Sequence, residues 1–413
     1  MQSITIIGAG QAGLQLGIGL KKQGYEVTIV TNKTAKEIKN GNILSSQIIF
    51  DMARQIERGL DLNFWDQECP SIESIDLNFG LEDRSPLLNW SAGFDKPAQS
   101  VDQRVKMPVW IDEFEKLGGK LIIEEAGIPE LEAYAEKSGL VLVASGKGEI
   151  GRLFEHDTDK SAFNKPMRVL SLIYVKGSKP KDKAALSFNA VPGVGEFFII
   201  PALTTSGPCE ILFFEGLPGA SFDCWQEIKT AEQHIDKTQE LIQQYIPWEF
   251  ERCKSIKACD DKAYLIGSLT PIVRHPVATL PSGAKVLGIG DTVCLHDPIT
   301  GQGSNNATKA ANIYLASILE HGDKGFDEAW MQKTFNTFWD YAQHVVNWTN
   351  SMLLPPTNNM QKIMGAAASS PTLARRVANA FNDPADLYPW WKNERRASVV
   401  IGRSLEADEK PSH

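Results

Sequence analysis

The sequence predicts an α/β protein in which a nucleotide-binding sheet is interrupted by a second, β-rich unit and closed by helices. Three observations carry this. Residues 3–7 form an apolar, β-branched run that leads straight into Gly8-Ala9-Gly10-Gln11-Ala12-Gly13 and then into an apolar helix. Between residues 168 and 216 the pattern changes to short β-rich runs separated by Gly and Pro turns. After Gly303 nearly everything reads as helix.

Taken in order, residues 3–7, the glycine turn, a helix closing at Gly24 and a strand over 25–30 make one β-α-β unit. Residues 45–58 read as a second helix. Residues 71–90 alternate apolar and polar and suggest strands outside the first sheet. Residues 101–117 read as a helix with Pro108 inside it. Buried strands are expected at 120–124 and 140–144, with a helix over 129–137 between them. Strands at 168–175, 185–189, 196–203 and 210–215 suggest an antiparallel sheet, followed by a polar helix over 229–245. Strands return at 263–269 and 285–289, and residues 403–413 look like a flexible tail. The division that follows is 1–70, 100–160 and 270–320 for the nucleotide domain. Residues 71–99 and 161–269 make the β-rich domain, and 321–402 the C-terminal helices.

Composition narrows the function. With 413 residues, 42% hydrophobic and 23% charged, the chain can bury a large core. A net charge of −9 without a basic run argues against nucleic acid or an anionic membrane as partner. No apolar run approaches the roughly 18 residues of a membrane span. Six cysteines without a CxxC pair, and a start that opens directly into a strand, lead us to expect free thiols and a cytoplasmic setting. Seven histidines show no metal-ligand spacing, so no metal is expected.

The glycine turn is the first chemical motif. Gly8 permits the tight turn, Gly10 lets a pyrophosphate approach the backbone, and Gly13 lets helix and strand pack closely. The next strand ends in Thr31-Asn32 where a carboxylate for the ribose hydroxyls is expected, so that ribose is held by weaker, neutral hydrogen bonds. The second motif is a strand ending in Gly290-Asp291, followed by Pro298, Gly301-Gln302-Gly303, Ser304 and Asn305. Asp291 stands where a carboxylate accepts ribityl hydroxyls. The turn opens a helix whose N–H groups meet the pyrimidine edge of a flavin. Both halves, in this order, favour FAD over NAD.

On these residues the chain resembles the FAD-dependent aromatic monooxygenases of the para-hydroxybenzoate hydroxylase fold. More closely it is similar to the oxygenase component of two-component styrene and indole monooxygenases. The likeness runs from the first strand to the last helices, with further markers at Val101-Asp102-Gln103-Arg104 and Ser145-Gly146-Lys147. It implies an FAD-binding Rossmann-type domain with an interleaved β-sheet substrate domain and C-terminal helices. It implies that Arg104 reaches the flavin diphosphate or ribityl chain and that Ala126 meets the adenine through its backbone. Ser145 and Gly146 join the cofactor-binding set. Ser46 and Gln47, on the helix after Gly41, line the flavin front, and Asn305 faces its pyrimidine end; these are positional residues rather than acids or bases. The self-contained hydroxylases carry Asp-Gly where this chain has Ser145-Gly146, and there is one dinucleotide unit only. The resemblance therefore implies FAD reduced by a separate NAD(P)H-dependent flavin reductase. It also implies an indole-type pocket at Ser45, Ile72, Ile75 and Ala98, with epoxidation of the indole C2=C3 bond and of styrene-like alkenes. The alternatives are a styrene monooxygenase proper, a single-component hydroxylase, a halogenase (whose Trp-x-Trp-x-Ile-Pro string is absent) and a flavin-binding regulator.

Overall fold

The computed structural model describes residues 3–80, 86–145, 148–181 and 183–409. Gly146 of the expected cofactor set, and the neighbouring marker residue Lys147, lie outside the described residues.

The first β-α-β unit forms as the glycine pattern demands. Strand Ser3–Ile7 pairs in parallel with Glu26–Thr31 on one side and with Leu140–Val143 on the other. Lys120–Ile123 and Lys285–Gly288 extend this sheet in parallel, and Val277–Thr279 closes one edge antiparallel. Helices Gln11–Lys22, Gln103–Lys116 and Gly303–His321 cover the sheet and bury Leu14, Leu16, Trp110, Phe114 and Tyr314 in one apolar cluster. Because the central strand has later strands on both sides, the crevice at its carboxyl end is a topological switch point.

The second sheet contains eight strands and separates two further apolar clusters. Val169–Lys176, Ala185–Val191, Gly195–Thr204 and Gly207–Gly216 pair antiparallel, as their alternation requires. One feature differs from expectation. Strand Ile72–Gly80 joins Ala185–Val191 in parallel, so the sheet is mixed. One face packs on helix Ala231–Tyr245, and the other on the C-terminal helices, where Trp348, Trp390 and Trp391 are buried packing residues.

Two expectations are corrected. Residues 45–50 are not helical; the helix begins only at Asp51 and runs to Gly59. The β-branched Ile48-Ile49 segment is extended, and Ile49 exchanges both backbone hydrogen bonds with Gln99. Ser45, Ser46 and Gln47 are thus on an extended strap, not on a helix. Residues 403–408 are likewise no tail, since helix Glu394–Asp408 includes them. Asp408 is tied by accepting from the hydroxyls of Ser370 and Thr372 and from the Thr372 N–H. No helix among the described residues is long and apolar enough to cross a membrane.

A candidate flavin site and its adjoining cavity

The expected cofactor residues converge at the carboxyl ends of the parallel strands. Gly8, at φ +117°, turns the chain out of the first strand, and its N–H donates to the Val30 carbonyl at 2.8 Å. A Cβ on Gly8 would stand 3.0 Å from the Ala144 carbonyl and 3.3 Å from the Ser145 N, so this turn and Ser145 are in contact. Gly13 cannot be anything larger, because a Cβ there would lie 2.0 Å from the Gly8 oxygen. Gly290, at φ +61°, brings Asp291 to the same rim, with its added Cβ 3.1 Å from Ala12. Ala9 is packed in the core beneath. Thr31 ends its strand with Asn32 exposed beside it, and Ala126 lies half-buried in the loop before helix Ile128–Lys137.

The donors on offer suit an anionic, oxygen-rich ligand. Among the described helices of twelve residues or more, Gln11–Lys22 and Gly303–His321 alone begin without a side-chain cap; the others are capped by Asp102, Thr230, Asp327 and Asn393. Uncapped first-turn N–H groups carry the positive end of the helix dipole. At Gly10 and Gly303 an added Cβ would meet nothing within 4 Å, so both starts open onto free space. A pyrophosphate fits the first start and a flavin pyrimidine edge the second. Ser304 is half-buried in the first turn of the second helix.

Several expected residues are engaged in other ways. Gln11 Nε2 donates to Glu57 and to Thr308 Oγ1, each at 2.9 Å, which ties three helices together. Gln302 is buried and donates to the Phe381 carbonyl at 2.7 Å. Arg104 is 3% exposed. It donates to Asp102 at 2.9 Å, to Asp260 at 3.2 Å and to Thr204 at 3.1 Å, so its guanidinium holds the Gly41 and Asp260 loops and not an open crevice.

The strap over residues 45–50 is locked from both sides. Ser45 Oγ donates to Gln47 Oε1 and accepts from Gln103 Nε2 at 2.9 Å. Gln47 Nε2 donates to the Tyr174 hydroxyl at 2.8 Å, which donates in turn to the Ser45 carbonyl at 2.8 Å. Asn305 accepts the Phe50 N–H and donates to the carbonyls of Ile48 and Gly301, all at 2.8 Å. Tyr174 gave no signal in the sequence, because its contact spans 127 residues.

Between this strap, the second sheet and the turn at Pro298–Thr300 lies an apolar cavity. Ile48 and Phe50 form one wall, Leu186, Phe198, Ile200 and Phe213 another, and Pro298 and Gly301 its base, with Phe381 at the side. Its free volume is about 20 Å³, room for one water, so an aromatic guest requires the lining to swing outward. The Thr300 hydroxyl is bonded to Thr349 at 2.6 Å, which leaves Ser46 as the lining hydroxyl that no described group engages. Ile72, Ile75 and Ala98 are fully buried in the same apolar cluster but do not line the cavity. Of the expected substrate residues, none lines this cavity, whose free hydroxyl is that of Ser46.

Comparison with known proteins bears on this arrangement. A family model described as "Styrene monooxygenase A putative substrate binding domain" matches residues 146–252, the segment that supplies the wall of Leu186, Phe198, Ile200 and Phe213. Styrene monooxygenase StyA of Pseudomonas fluorescens is 28% identical over 393 residues, covering 92% of this chain and 93% of that protein. A second StyA, from a Pseudomonas species, is 28% identical over 392 residues with the same coverage. This chain is an FAD-dependent monooxygenase, similar to the styrene monooxygenases over nearly its whole length. The oxygenase also shares its fold with the flavin-dependent brominase Bmp2 (TM-score 0.68, 15% identity, 98% of each chain covered). A flavoprotein/dehydrogenase from Cytophaga hutchinsonii gives a TM-score of 0.67 at 14% identity, covering 98% of the oxygenase and 100% of that chain. These likenesses bear out the para-hydroxybenzoate-hydroxylase-like α/β architecture.

Proposed function

We propose that this protein is the oxygenase component of a two-component system. It takes FAD reduced by a separate NAD(P)H-dependent flavin reductase, uses O2, and epoxidises the C2=C3 bond of indole, with styrene-like alkenes as further substrates. The supporting observation is the cavity. It is lined mainly by aromatic and aliphatic side chains, rests on the turn before the uncapped helix Gly303–His321, and offers one unengaged hydroxyl, Ser46.

The residues divide the work as follows. The Gly8–Gly13 turn and helix Gln11–Lys22 would hold the pyrophosphate, Asp291 the ribityl hydroxyls, and the Gly303 helix start the pyrimidine carbonyl. Reduced FAD would supply the oxygen activation when bound. The walls of Phe50, Phe198, Phe213 and Phe381 exclude water and hold the alkene face. Ser46 Oγ accepts the indole N–H; an unpartnered buried N–H costs about 1–3 kcal/mol.

The two styrene monooxygenases among the relatives favour a second reading, with styrene itself as the preferred alkene. Competition decides between them. With chemically reduced FAD and equal indole and styrene, a higher kcat/KM for indole and blue pigment from indole alone support the first reading. Ser46→Ala then lowers indole turnover about tenfold and leaves styrene unchanged. A clear styrene preference without pigment supports the second. NADH or NADPH mixed with the oxygenase and oxidised FAD should leave the flavin oxidised; rapid reduction would make this a single-component enzyme.

A further inference from the structure

Two carboxyl groups face one another behind the turn that forms the base of the cavity. Glu215, in strand Gly207–Gly216, is fully buried, and Asp297, just before Pro298, is 1% exposed. Asp297 Oδ1 accepts the Ile299 N–H at 3.1 Å and so caps the turn Pro298–Thr300. Its Oδ2, and both carboxyl oxygens of Glu215, receive no N–H or hydroxyl donor from any described residue. The two side chains instead lie against each other, carboxyl to carboxyl. Two ionised carboxylates side by side, buried and without a donor, repel each other, and one proton between them removes that repulsion.

The surroundings agree. The charged groups that face the pair are Arg168, ahead of strand Val169–Lys176, and Glu196, on strand Gly195–Thr204. Arg168 is already forked onto Glu196 at 2.7 and 3.0 Å, and it donates further to the carbonyls of Met167 and Leu353. His296 turns its ring to Asn306 at 2.6 Å and stays neutral, held near pH 4 by burial. One cation and three carboxyls make a net −1 with one proton present and −2 without it. In a site closed to water the second charge is costly. Burial, then Asp297 and Glu196, hold the Glu215 carboxyl well above the usual carboxylate range, and burial pushes Asp297 up to about 6. The pair titrates as one unit.

The pair also lies directly behind the cavity. Phe213, two residues before Glu215 and on the same face of its strand, lines it, as does Pro298, the residue after Asp297. We propose that Glu215, as a neutral acid donating its proton to Asp297, is the positioning residue of the Pro298–Gly301 turn against which substrate and reduced flavin are held. The flavin half of this proposal rests on the function proposed above; the shared proton does not. A lone charge behind the turn is compatible with an anionic reduced ring, whereas a second one repels it and breaks the contact that steadies the cap.

The test uses the full-length protein and Glu215→Gln, whose amide donates to Asp297 and cannot ionise. Without flavin, an infrared difference spectrum of wild type against Glu215→Gln should show a protonated carboxyl C=O band in the wild type alone. The native state keeps a proton that the unfolded chain releases, so wild-type stability falls as pH rises above the ordinary carboxylate range, and Glu215→Gln flattens that fall. In anaerobic titrations, wild-type affinity for reduced FAD should drop at alkaline pH, while Glu215→Gln matches wild type at neutral pH and holds its affinity. Glu215→Leu should bind reduced FAD about tenfold more weakly at every pH. An absent acid band with an unchanged pH slope overturns the shared proton. A band that is present, with identical reduced-FAD affinities in all three proteins, overturns the positioning role. A band in a protein that takes no reduced FAD at any pH removes the flavin reading and leaves the shared proton standing.

Discussion

Asn305 accepts the Phe50 backbone N–H at 2.8 Å, across 255 residues of sequence, and its own amide donates to the Ile48 carbonyl at the same distance. One side chain in the first turn of helix Gly303–His321 therefore fixes the strap that walls the cavity. It also starts the helix Asp51–Gly59, whose first residues have no side-chain cap. Removing it leaves a buried donor and acceptor unmatched. Asn305→Ala should cost about 1–3 kcal/mol in urea unfolding and raise the share of oxygen released as hydrogen peroxide, because the cavity wall is loosened. A variant with unchanged midpoint and unchanged product yield would show that the strap is held by Ile49 and Gln99 alone.

Gly10 and Gly13 separate ligand contact from folding. A methyl on Gly13 collides with the Gly8 oxygen at 2.0 Å, whereas one on Gly10 projects into open space. Gly13→Ala should lower the Tm of the flavin-free protein markedly. Gly10→Ala should leave it within about 0.5 kcal/mol of wild type yet weaken reduced-FAD binding about tenfold or more, by keeping the pyrophosphate off the backbone. Equal FAD affinity in Gly10→Ala and wild type would place the cofactor elsewhere.

Asp291 stands on the rim with its side chain exposed, beside the first helix. Asp291→Ala should retain the wild-type melting curve and lose about 1.5–3 kcal/mol of flavin binding, roughly ten- to a hundredfold. Anaerobic fluorescence titration reads this directly. The Thr31-Asn32 end of the second strand leads us to expect weak binding of oxidised FAD as well, with loss of colour on gel filtration.

Acid should destabilise the protein through buried histidines. His234 lies between Ser171 at 2.7 Å and Thr238 at 3.2 Å, and burial lowers its pKa from 6.5 to about 4; His296 is lowered likewise. Between those values the unfolded chain binds protons that the native state refuses, so stability is complete above 6.5 and is lost as pH falls toward 4. Each histidine contributes on the order of 3 kcal/mol to that slope. His234→Gln should make urea midpoints less sensitive to acid, and an unaltered slope would count against a neutral buried ring.

The glycine turn, the Gly290-Asp291 strand end and the change of period at residue 168 were legible because each is local. Positive φ at Gly8, Gly290 and Gly301, and alternation along a strand, depend on neighbours within a few residues. The strap at 45–50 was not legible. Its residues can form a helix, and what makes them extended is Gln99, Asn305 and Tyr174, which are distant in sequence. The helix end at 403–408 was missed for the same reason, since Ser370 and Thr372 hold Asp408. For Arg104 the resemblance implies a cation that reaches the flavin, and its pairing with Asp260, 156 residues away, was not legible. Composition and motif thus determined the architecture and the class of cofactor, because close backbone approach and strand twist admit few residues. Which side chains meet in the cavity, and that Glu215 faces Asp297 with no donor between them, was decided by packing alone. Long-range pairing sets burial, and burial decides which carboxyl keeps its proton.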